Sequence, residues 1–297
     1  MNLGPFEALA DDLAPGDLGV LDAEWSDFSL EHIRSAGDPA FDEAYARLWR
    51  EFGDRGELER REVLEERLGW DPARPVAGHR FLYEMVVIRR EGVLVAVRDH
   101  TVILAPGDGS VVVHLSHALV DAPFRGRRLG AWLRALPLST ARKVGTAFVS
   151  PRTMEWNAAD GQFDAGAISP DIAHVPICLV AEMGLGGAGL QSYGRAGFRV
   201  ADPQVTPYCQ PDFRHPDEID RSGNVPVPLV LALRRIGLER QGSMKGAELR
   251  GLVSALHAMF GVHVRADHLA PLRAALERFP VAEEDVALLA PDSLGRL

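Results

Sequence analysis

The amino-acid sequence predicts a protein of the α/β (α+β) class, in which helices flank a sheet. The β-branched run at residues 111–120 has the composition of a strand. This run stops at Asp121-Ala122-Pro123, because proline cannot donate to a central ladder, and an amphipathic helical stripe follows the turn. Residues 81–89 and 93–104 are two further strand-like runs, and the Glu91-Gly92 turn between them predicts a hairpin.

Local signals also assign the elements that come before the hairpin. Residues 29–38 are predicted to form the first strand and a turn. Pro39 is favoured in the first turn of a helix, which we expect to continue to Phe52 with its apolar and aromatic residues on one side. Residues 56–68 carry Glu and Arg at helical pair spacing, a pattern typical of a solvated helix face.

Two strands are predicted after the central helix, at residues 175–183 and 225–233. A polar connection at residues 150–173 precedes the first of them, and an irregular stretch at residues 203–224 precedes the second. Connections of this length are uncommon in compact domains and are often functional.

Beyond Gly237 the apolar periodicity is helical throughout, and it predicts a helical extension over residues 238–297. One stripe is stopped by Gly261 and a second by Pro280. A third, shorter stripe contains Val286, Leu288 and Leu289. Basic and acidic residues are nearly balanced in this region, which argues against a DNA-binding helix-turn-helix. We expect the extension to pack either on the rest of the chain or on a second subunit. In the second case the protein would be a homodimer.

The composition is that of a globular protein and argues against several functional classes. Hydrophobic residues make up 46% of the chain and charged residues 25%. No apolar run could span a bilayer, and the acidic N-terminus lacks the features of a signal peptide, so we expect a cytoplasmic protein without membrane association. The formal net charge of −10 argues against nucleic-acid binding. The two cysteines, Cys178 and Cys209, form no CxxC pattern, so we expect buried thiols and no metal site.

The turn between the strand at 111–120 and the following helix carries the strongest functional signal. It contains Arg125, Gly126, Arg127 and Arg128. The N–H groups of such a loop and of the helix start point at one spot, which the helix dipole makes positive, and each guanidinium adds a full charge. This arrangement predicts a cradle for a phosphate or pyrophosphate. The two commonest phosphate loops, GxxxxGK[ST] and GxGxxG, are both absent.

The loop reads Arg125-Gly126-Arg127-Arg128-Leu129-Gly130 and resembles the R/Q-x-x-G-x-G/A acyl-CoA signature of the GNAT superfamily of N-acyltransferases. The first arginine and the last glycine match, and Arg128 stands where the family has its middle glycine. The resemblance implies a GNAT-like mixed, mostly antiparallel sheet that binds acetyl-CoA through these six residues and the strand end at Leu119 and Val120. It also implies a GNAT acyltransferase domain over residues 29–237, preceded by an N-terminal extension of residues 1–28.

A second run, Tyr193-Gly194-Arg195-Ala196-Gly197-Phe198, resembles the Y-x-x-x-G-F motif with which the family ends a helix and opens a strand. The resemblance implies that the Tyr193 hydroxyl protonates the departing CoA thiolate. The other interpretation of Tyr193 is an aromatic residue packed at a helix end. The resemblance further implies direct acetyl transfer in a ternary complex to a primary amine of a small molecule or protein, whose identity the sequence does not indicate.

Acetyl transfer also needs a base for the amine, and the strand before the loop carries two histidines, whose ordinary pKa of ~6.5 suits the task. His114 occupies the position at which several family members carry their base, and it is the first candidate. His117 is the second, and strict strand alternation places the two on opposite faces of the sheet. A backbone N–H near Leu119-Val120 would polarise the thioester carbonyl. Glu84 and Glu182 are strand carboxylates that could act through water.

Three alternatives keep part of this pattern. His117 to Asp121 reads HxxxD, as in chloramphenicol-acetyltransferase-like and condensation enzymes, but Ala122 replaces the usual glycine and the pattern recurs at His263 to Asp267. That interpretation gives no role to the arginine loop. A noncatalytic acyl-CoA-binding or sensing protein of the same fold would keep the loop and need no base. An acyltransferase that uses a longer acyl donor is also compatible with the sequence.

Overall fold

The structure is a computed structural model and describes residues 10–21, 27–104, 110–149, 156–157, 162–163, 175–185 and 187–296. The chain divides into two units, one formed by Met1–Leu48 with Leu64–Ile177 and the other by Trp49–Val63 with Cys178–Leu297. The predicted class is confirmed, since each unit combines helices with antiparallel strand pairs. Within the described ranges, no helix has the length and apolar character that a membrane crossing requires.

The first unit contains four antiparallel strands that pair in chain order. They are β1 (Phe28–Ile33), β2 (Arg80–Arg90), β3 (Val93–Leu104) and β4 (Val111–Val120). The hairpin between β2 and β3 turns at Glu91 and Gly92, which have φ of 51° and 79°. Positive φ at both central positions is the geometry of a type I′ hairpin turn, and β2 pairs with β3, so the predicted hairpin is confirmed. β3 and β4 have the bounds that the sequence predicted.

The helices α1 (Leu18–Leu21), α2 (Pro39–Phe52) and α3 (Arg61–Arg67) precede the hairpin, and α4 (Leu129–Val149) follows β4. α2 has the predicted bounds. The start of α4 packs Leu129, Trp132 and Leu133 into one apolar cluster with residues of β2 and β3. That packing fixes the beginning of α4 against the sheet, directly after the arginine loop. Two short strands, β5 (Trp156–Asn157) and β6 (Gln162–Phe163), pair with each other, while most of the predicted connection at 150–173 lies outside the described residues.

The N-terminal segment at residues 10–21 is fastened to α4 by two bidentate ion pairs. Arg142 donates from Nε and Nη2 to the two oxygens of Asp12, at 2.7 Å each. Arg134 donates to the two oxygens of Asp17 at 3.1 and 2.7 Å. Asp12 and Arg142 are only 3% and 6% exposed, so this ion pair is desolvated. Loss of either side chain would leave the charge of the other buried without its counter-ion.

The second unit has its own antiparallel strands and helices. The strands are β7 (Ile177–Met183), β8 (Arg199–Ala201), β9 (Tyr208–Gln210), β10 (Val227–Arg235), β11 (Ser243–Lys245) and β12 (Asp285–Leu289). β10 pairs with β7, β8 and β9, while β12 pairs with β8 and β11. The helices are α5 (Ala188–Arg195), α6 (Pro216–Ser222), α7 (Gly246–Phe260) and α8 (Ala270–Glu277).

The C-terminal region differs from the sequence prediction in two elements, the strands β11 and β12. The predicted helices at α7 and α8 are confirmed, and α7 ends at Phe260, directly before Gly261. The third apolar stripe is not helical, because Val286 and Leu288 lie in β12 and are buried while Ala287 between them is exposed. The prediction of helical structure throughout the region beyond Gly237 is therefore wrong. The predicted domain boundary at 237/238 falls inside the second unit.

Candidate functional site

The arginine loop joins β4 to α4 and contains two residues with left-handed backbone. After a 3₁₀ turn at Ala122–Phe124, the chain passes through Gly126 with φ of 78° and Arg128 with φ of 64°. Glycine adopts this conformation without a steric penalty, whereas other residues rarely do. Arg128 stands at the position of the middle glycine in the GNAT signature. The loop therefore keeps a glycine-type backbone at this point although the side chain is an arginine.

The side chains of the loop present positive charge to solvent. Arg125, Arg127 and Arg128 are all exposed. The Arg125 Nε donates to the carbonyl oxygen of Val120 at 3.0 Å, and the Arg127 guanidinium lies 5.7 Å from the centre of the Phe124 ring. The first N–H groups of α4, which have no partners within the helix, adjoin these cations. A surface of this kind can bind a pyrophosphate.

A bulge in β4 places the two strand histidines on one face of the sheet. Thr101 of β3 is opposite His114, and Asp99 is opposite His117, so the one residue between them on β3 is matched by two on β4. Residues two apart on a strand share a face, and so do cross-strand partners. His114 and His117 therefore share a face, and the prediction that they face opposite sides is wrong. Strict alternation fails here because it does not allow for the extra residue.

His117 is held by a buried carboxylate. Its Nδ1 lies 3.0 Å from Oδ1 of Asp99, and its backbone N–H donates to the same oxygen at 2.8 Å. The Tyr83 hydroxyl donates to Oδ2 of Asp99 at 3.0 Å. Burial alone would raise the pKa of Asp99, but the charge and hydrogen bonds of His117, with the bond from Tyr83, bring that pKa below its ordinary value. Asp99 is therefore a carboxylate in the folded protein.

His114 is also buried, and its Nδ1 lies 3.0 Å from the hydroxyl oxygen of Ser116. His114 is the first candidate base by its position in the resemblance, whereas no sequence motif contains Asp99 or Tyr83. One signal for Asp99 was present in the sequence. An aspartate in the middle of a predicted buried strand is costly unless it has a partner, so such a residue points to a nearby donor.

Glu84 is engaged on the opposite face of the same sheet. Its Oε2 lies 3.3 Å from Nε2 of His100, and its Oε1 lies 3.5 Å from Nδ1 of His32. Thr140 of α4 also donates to this carboxylate. Burial would raise the pKa of Glu84, but the hydrogen bonds and charges of His100 and His32 outweigh it and hold that pKa well below its ordinary value. Glu84 thus links β1, β2, β3 and α4, which is a structural role.

Tyr193 lies near the end of α5 in the second unit, where the chain forms a helix-ending motif. The N–H of Phe198 donates to the carbonyl of Tyr193 at 3.1 Å, and the N–H of Gly197 donates to that of Gly194 at 3.0 Å. Gly197 has φ of 85°, and the rings of Tyr193 and Phe198 meet edge to face at 4.8 Å. These are the features of a Schellman motif. The Y-x-x-x-G-F spacing therefore has a structural explanation, and the role of the Tyr193 hydroxyl as an acid stays a prediction.

Glu182, the other candidate carboxylate, also lies in the second unit. It accepts a hydrogen bond from the Tyr208 hydroxyl at 2.5 Å. Burial and the charge of Glu182 raise the pKa of Tyr208 well above its usual value. Burial raises the pKa of the Cys178 thiol to about 12, and it also raises that of Cys209. The two cysteines are free thiols of intermediate burial, whereas the sequence predicted buried ones.

The HxxxD alternative gains no support from the geometry. Asp121 forms an ion pair with Arg47 of α2, whereas the carboxylate partner of His117 is Asp99. In the enzymes with the HxxxD motif, the histidine is the base. Here the residue that orients His117 is on the neighbouring strand, and Asp121 is occupied by a guanidinium.

One cluster in the described part of the chain has the residue types of a metal site. It consists of Asp220, Asp267 and His268. The Arg265 guanidinium contacts Asp220 at 2.6 Å and Asp267 at 2.5 Å. Because Arg265 pairs with both carboxylates and Nε2 of the buried His268 lies 3.1 Å from Oδ1 of Asp220, the cluster has an explanation as an ion-pair network.

No family model matches the chain, and no curated protein matches it. Among solved structures, the fold is similar to a GNAT family acetyltransferase from Elizabethkingia anophelis with acetyl-CoA bound, at 14% identity and a TM-score of 0.38, over 71% of this chain and 99% of that one. It is also similar to the N-acetylglutamate synthase from Neisseria gonorrhoeae complexed with coenzyme A and N-acetyl-glutamate, at 15% identity and a TM-score of 0.39, over 72% of this chain and 36% of that one.

A third similar structure is a tandem GNAT protein from the clavulanic acid biosynthesis pathway, at 15% identity and a TM-score of 0.33. That match covers 84% of this chain and 63% of the tandem protein. The chain thus spans only part of the synthase and of the tandem protein. At identities of 14–15% and TM-scores of 0.39 or less, these similarities assign no function to this chain.

Proposed function

We propose that the chain is an acetyl-CoA-dependent N-acetyltransferase of the GNAT type, which moves an acetyl group to a primary amine by direct attack in a ternary complex. The observation that carries the proposal is the loop between β4 and α4. The loop matches the acyl-CoA signature at Arg125 and Gly130 and has left-handed backbone at Arg128. It presents three exposed cations beside a helix N-terminus, which is the combination of full charges and N–H donors that a pyrophosphate needs.

Each functional group has a proposed task in the transfer. Bound acetyl-CoA supplies an activated acetyl thioester. A histidine of β4, His114 or His117, takes the proton of the attacking amine. A backbone N–H near Leu119-Val120 donates to the thioester oxygen as negative charge develops on it. The Tyr193 hydroxyl donates a proton to the sulfur as the carbon–sulfur bond breaks.

A noncatalytic acyl-CoA-binding protein is the second candidate function, and one observation favours it. The Schellman geometry explains Tyr193, Gly197 and Phe198 without any chemistry of the hydroxyl. A sensor of this kind would keep the arginine loop and would release no CoA. Turnover therefore separates the two candidates.

The test is acetyl-CoA turnover with a panel of primary amines: spermidine, glucosamine, L-glutamate and a short peptide with a free N-terminus. Released CoA thiol is followed with a chromogenic disulfide. The chain's own thiols should react slowly, because burial raises the pKa of Cys178 and of Cys209 and leaves little thiolate at neutral pH. Propionyl-CoA and octanoyl-CoA, used in place of acetyl-CoA, establish the accepted acyl length.

Matched variants connect the result to the loop. Arg125→Ala should raise the KM for acetyl-CoA, whereas Arg221→Ala, which removes an exposed arginine from α6, should not. Amine-dependent release of CoA supports the enzyme. Binding of CoA without release on any amine or acyl donor supports the sensor, and absence of binding overturns both proposals.

A further inference from the structure

We infer that Asp99 positions His117 as the general base of the proposed transfer, so that His117 rather than His114 takes the proton of the amine. The inference rests on the proposed function and deepens it. It assigns roles to Asp99 and Tyr83, which belong to no motif in the sequence. Asp99 acts through His117 and is therefore a positioning residue.

The carboxylate of Asp99 fixes the tautomer of the imidazole. Nδ1 of His117 lies 3.0 Å from Oδ1 and 3.2 Å from Oδ2 of Asp99. An ionised carboxylate can only accept hydrogen bonds, so the proton of the neutral ring is on Nδ1 and the basic lone pair is on Nε2. When Nε2 takes a proton, the negative charge of Asp99 stabilises the imidazolium that forms. An aspartate performs the same two tasks for the histidine of a serine-protease triad.

Asp99 is itself held rigidly. The backbone N–H of His117 donates to one of its oxygens at 2.8 Å, and the Tyr83 hydroxyl donates to the other at 3.0 Å. Asp99 is 0% exposed, so its carboxylate is shielded from water. Burial of a charge is unfavourable unless it is paired and fully hydrogen-bonded, and three donors supplied by two residues meet that need. The imidazole ring is oriented by a group that cannot turn away without losing these bonds.

The pair is buried, with His117 7% and Asp99 0% exposed, and it lies where the neighbouring residues of β4 become more exposed. The first five residues of the strand, Val111 to Leu115, are buried, whereas Ser116 is half-buried and Ala118 is exposed. From His117 to the end of the strand at Val120 the chain rises about 10 Å, at roughly 3.3 Å per residue. The histidine and the arginine loop thus lie along one strand of one unit. A flexible arm between the phosphates and the thioester can span such a distance.

His114 contacts a hydroxyl, where His117 contacts a carboxylate. Its Nδ1 is 3.0 Å from the hydroxyl of Ser116. A hydroxyl both donates and accepts, so it fixes neither the tautomer nor the orientation of the ring as a carboxylate does. It also carries no charge with which to stabilise an imidazolium. Of the two histidines on this face, the one paired with Asp99 is better suited to accept a proton.

The experiment measures kcat and KM for acetyl-CoA on the best amine of the panel. Asp99→Asn keeps the size of the side chain and removes its charge, so kcat should fall about 10²–10⁴-fold, the usual contribution of acid–base catalysis. KM should change by less than about threefold, because the arginine loop is not altered. His117→Gln should give a similar loss, and the double variant should lose little more, because residues that act as a unit are not additive.

Glu84→Gln is the matched control. It removes a buried carboxylate with a histidine partner from the opposite face of the same sheet, so it imposes a similar structural disturbance. Its kcat should stay within about threefold of the parent. If Asp99→Asn does not fold, Tyr83→Phe serves instead, since it removes one hydrogen bond from Asp99. Its kcat should fall roughly threefold to tenfold, the value of one such bond.

A spectroscopic measurement tests the pairing apart from turnover. A histidine Nδ1 proton bonded to a carboxylate gives a proton resonance far downfield of the amides. This resonance should be present in the parent and in His114→Gln, and absent in His117→Gln and Asp99→Asn. Suppose that the parent protein catalyses acetyl transfer. If kcat is then unchanged in Asp99→Asn, or if activity is lost in His114→Gln but not in His117→Gln, this inference is wrong and the proposed function stands. A parent that transfers to no amine overturns the proposed function and this inference together.

Discussion

Arg128 combines an unusual backbone with a functional charge, and a pair of substitutions separates the two. Its φ of 64° places a non-glycine residue in the left-handed region. For an L-residue that conformation costs about 1–2 kcal/mol. Arg128→Gly removes the steric cost and the charge together, whereas Arg128→Ala removes the charge and leaves the steric cost in place.

The difference in the free energy of unfolding between Arg128→Gly and Arg128→Ala follows from the steric cost of the left-handed backbone and the entropy of the unfolded chain. Glycine relieves about 1–2 kcal/mol of steric cost but loses about 0.5–1 kcal/mol through the greater entropy of the unfolded chain. The free energy of unfolding of Arg128→Gly should therefore exceed that of Arg128→Ala by about 0.5–1 kcal/mol, which raises Tm by roughly 1–4 °C. Both variants should bind CoA more weakly by the same factor, roughly twofold to fivefold, because each loses one exposed charge contact.

Thermal unfolding without ligand measures the first effect, and calorimetric titration with CoA at low and high salt measures the second. The loss of affinity should be smaller at high salt, because exposed charges are screened. Gly126→Ala is the control for strain, since a Cβ at this position would meet no atom within 4 Å and only the φ of 78° opposes it. An Arg128→Ala variant as stable as Arg128→Gly would refute the left-handed loop. Unchanged CoA affinity in both would refute the phosphate cradle.

Three further outcomes are expected. Asp12→Ala leaves the buried Arg142 guanidinium without its carboxylate, so the free energy of unfolding in urea should fall by about 3–5 kcal/mol. Tyr193→Phe should lower kcat by part of the ~10²–10⁴-fold that acid catalysis supplies and leave Tm unchanged, whereas Gly197→Ala should lower Tm because its φ is 85°. The pKa of Glu84 is depressed in the folded state, so Glu84 stabilises the fold above the ordinary carboxyl pKa, and this stabilisation is lost as the pH falls through the folded value. In Glu84→Gln the free energy of unfolding should therefore decrease less between neutral and acidic pH than in the parent.

Each of these outcomes has a result that contradicts it. A cost below about 1 kcal/mol for Asp12→Ala would mean that Arg142 is not desolvated as the structure has it. A Tyr193→Phe variant with the parent kcat would show that the ring packs at the helix end and that its hydroxyl takes no part in the reaction. If the free energy of unfolding of Glu84→Gln decreases at acidic pH as much as that of the parent, the contacts of Glu84 with His100 and His32 do not stabilise the fold.

The elements with strong local signals could be predicted from the sequence. α2 begins at Pro39 and ends at Phe52 as expected, because proline at the first helical turn and the apolar periodicity are both local. β4 has its predicted bounds because a β-branched run ends at a turn with proline. The left-handed backbone at Arg128 is the conformation that the glycine of the family signature favours. An arginine at this position does not by itself indicate that conformation.

The features that escaped prediction depend on contacts distant in the sequence. The bulge between His114 and His117 is a property of the pairing of β4 with β3, and neither strand encodes it alone. The role of Asp99 depends on a partner on the next strand. Residues 286–289 fit both a helical and an alternating pattern, because four residues are too few to separate periods of 3.6 and 2. Their pairing with β11 and β8 decided the outcome.

The central claim is that the loop between β4 and α4 binds the phosphates of an acyl-CoA, and calorimetric titration of the full chain with CoA tests it most directly. We expect saturable heat, a Tm that rises with CoA concentration by mass action, and a weaker effect of both kinds in Arg125→Ala than in Arg221→Ala. A Tm that saturating CoA leaves unmoved, together with no heat of binding, would contradict the claim.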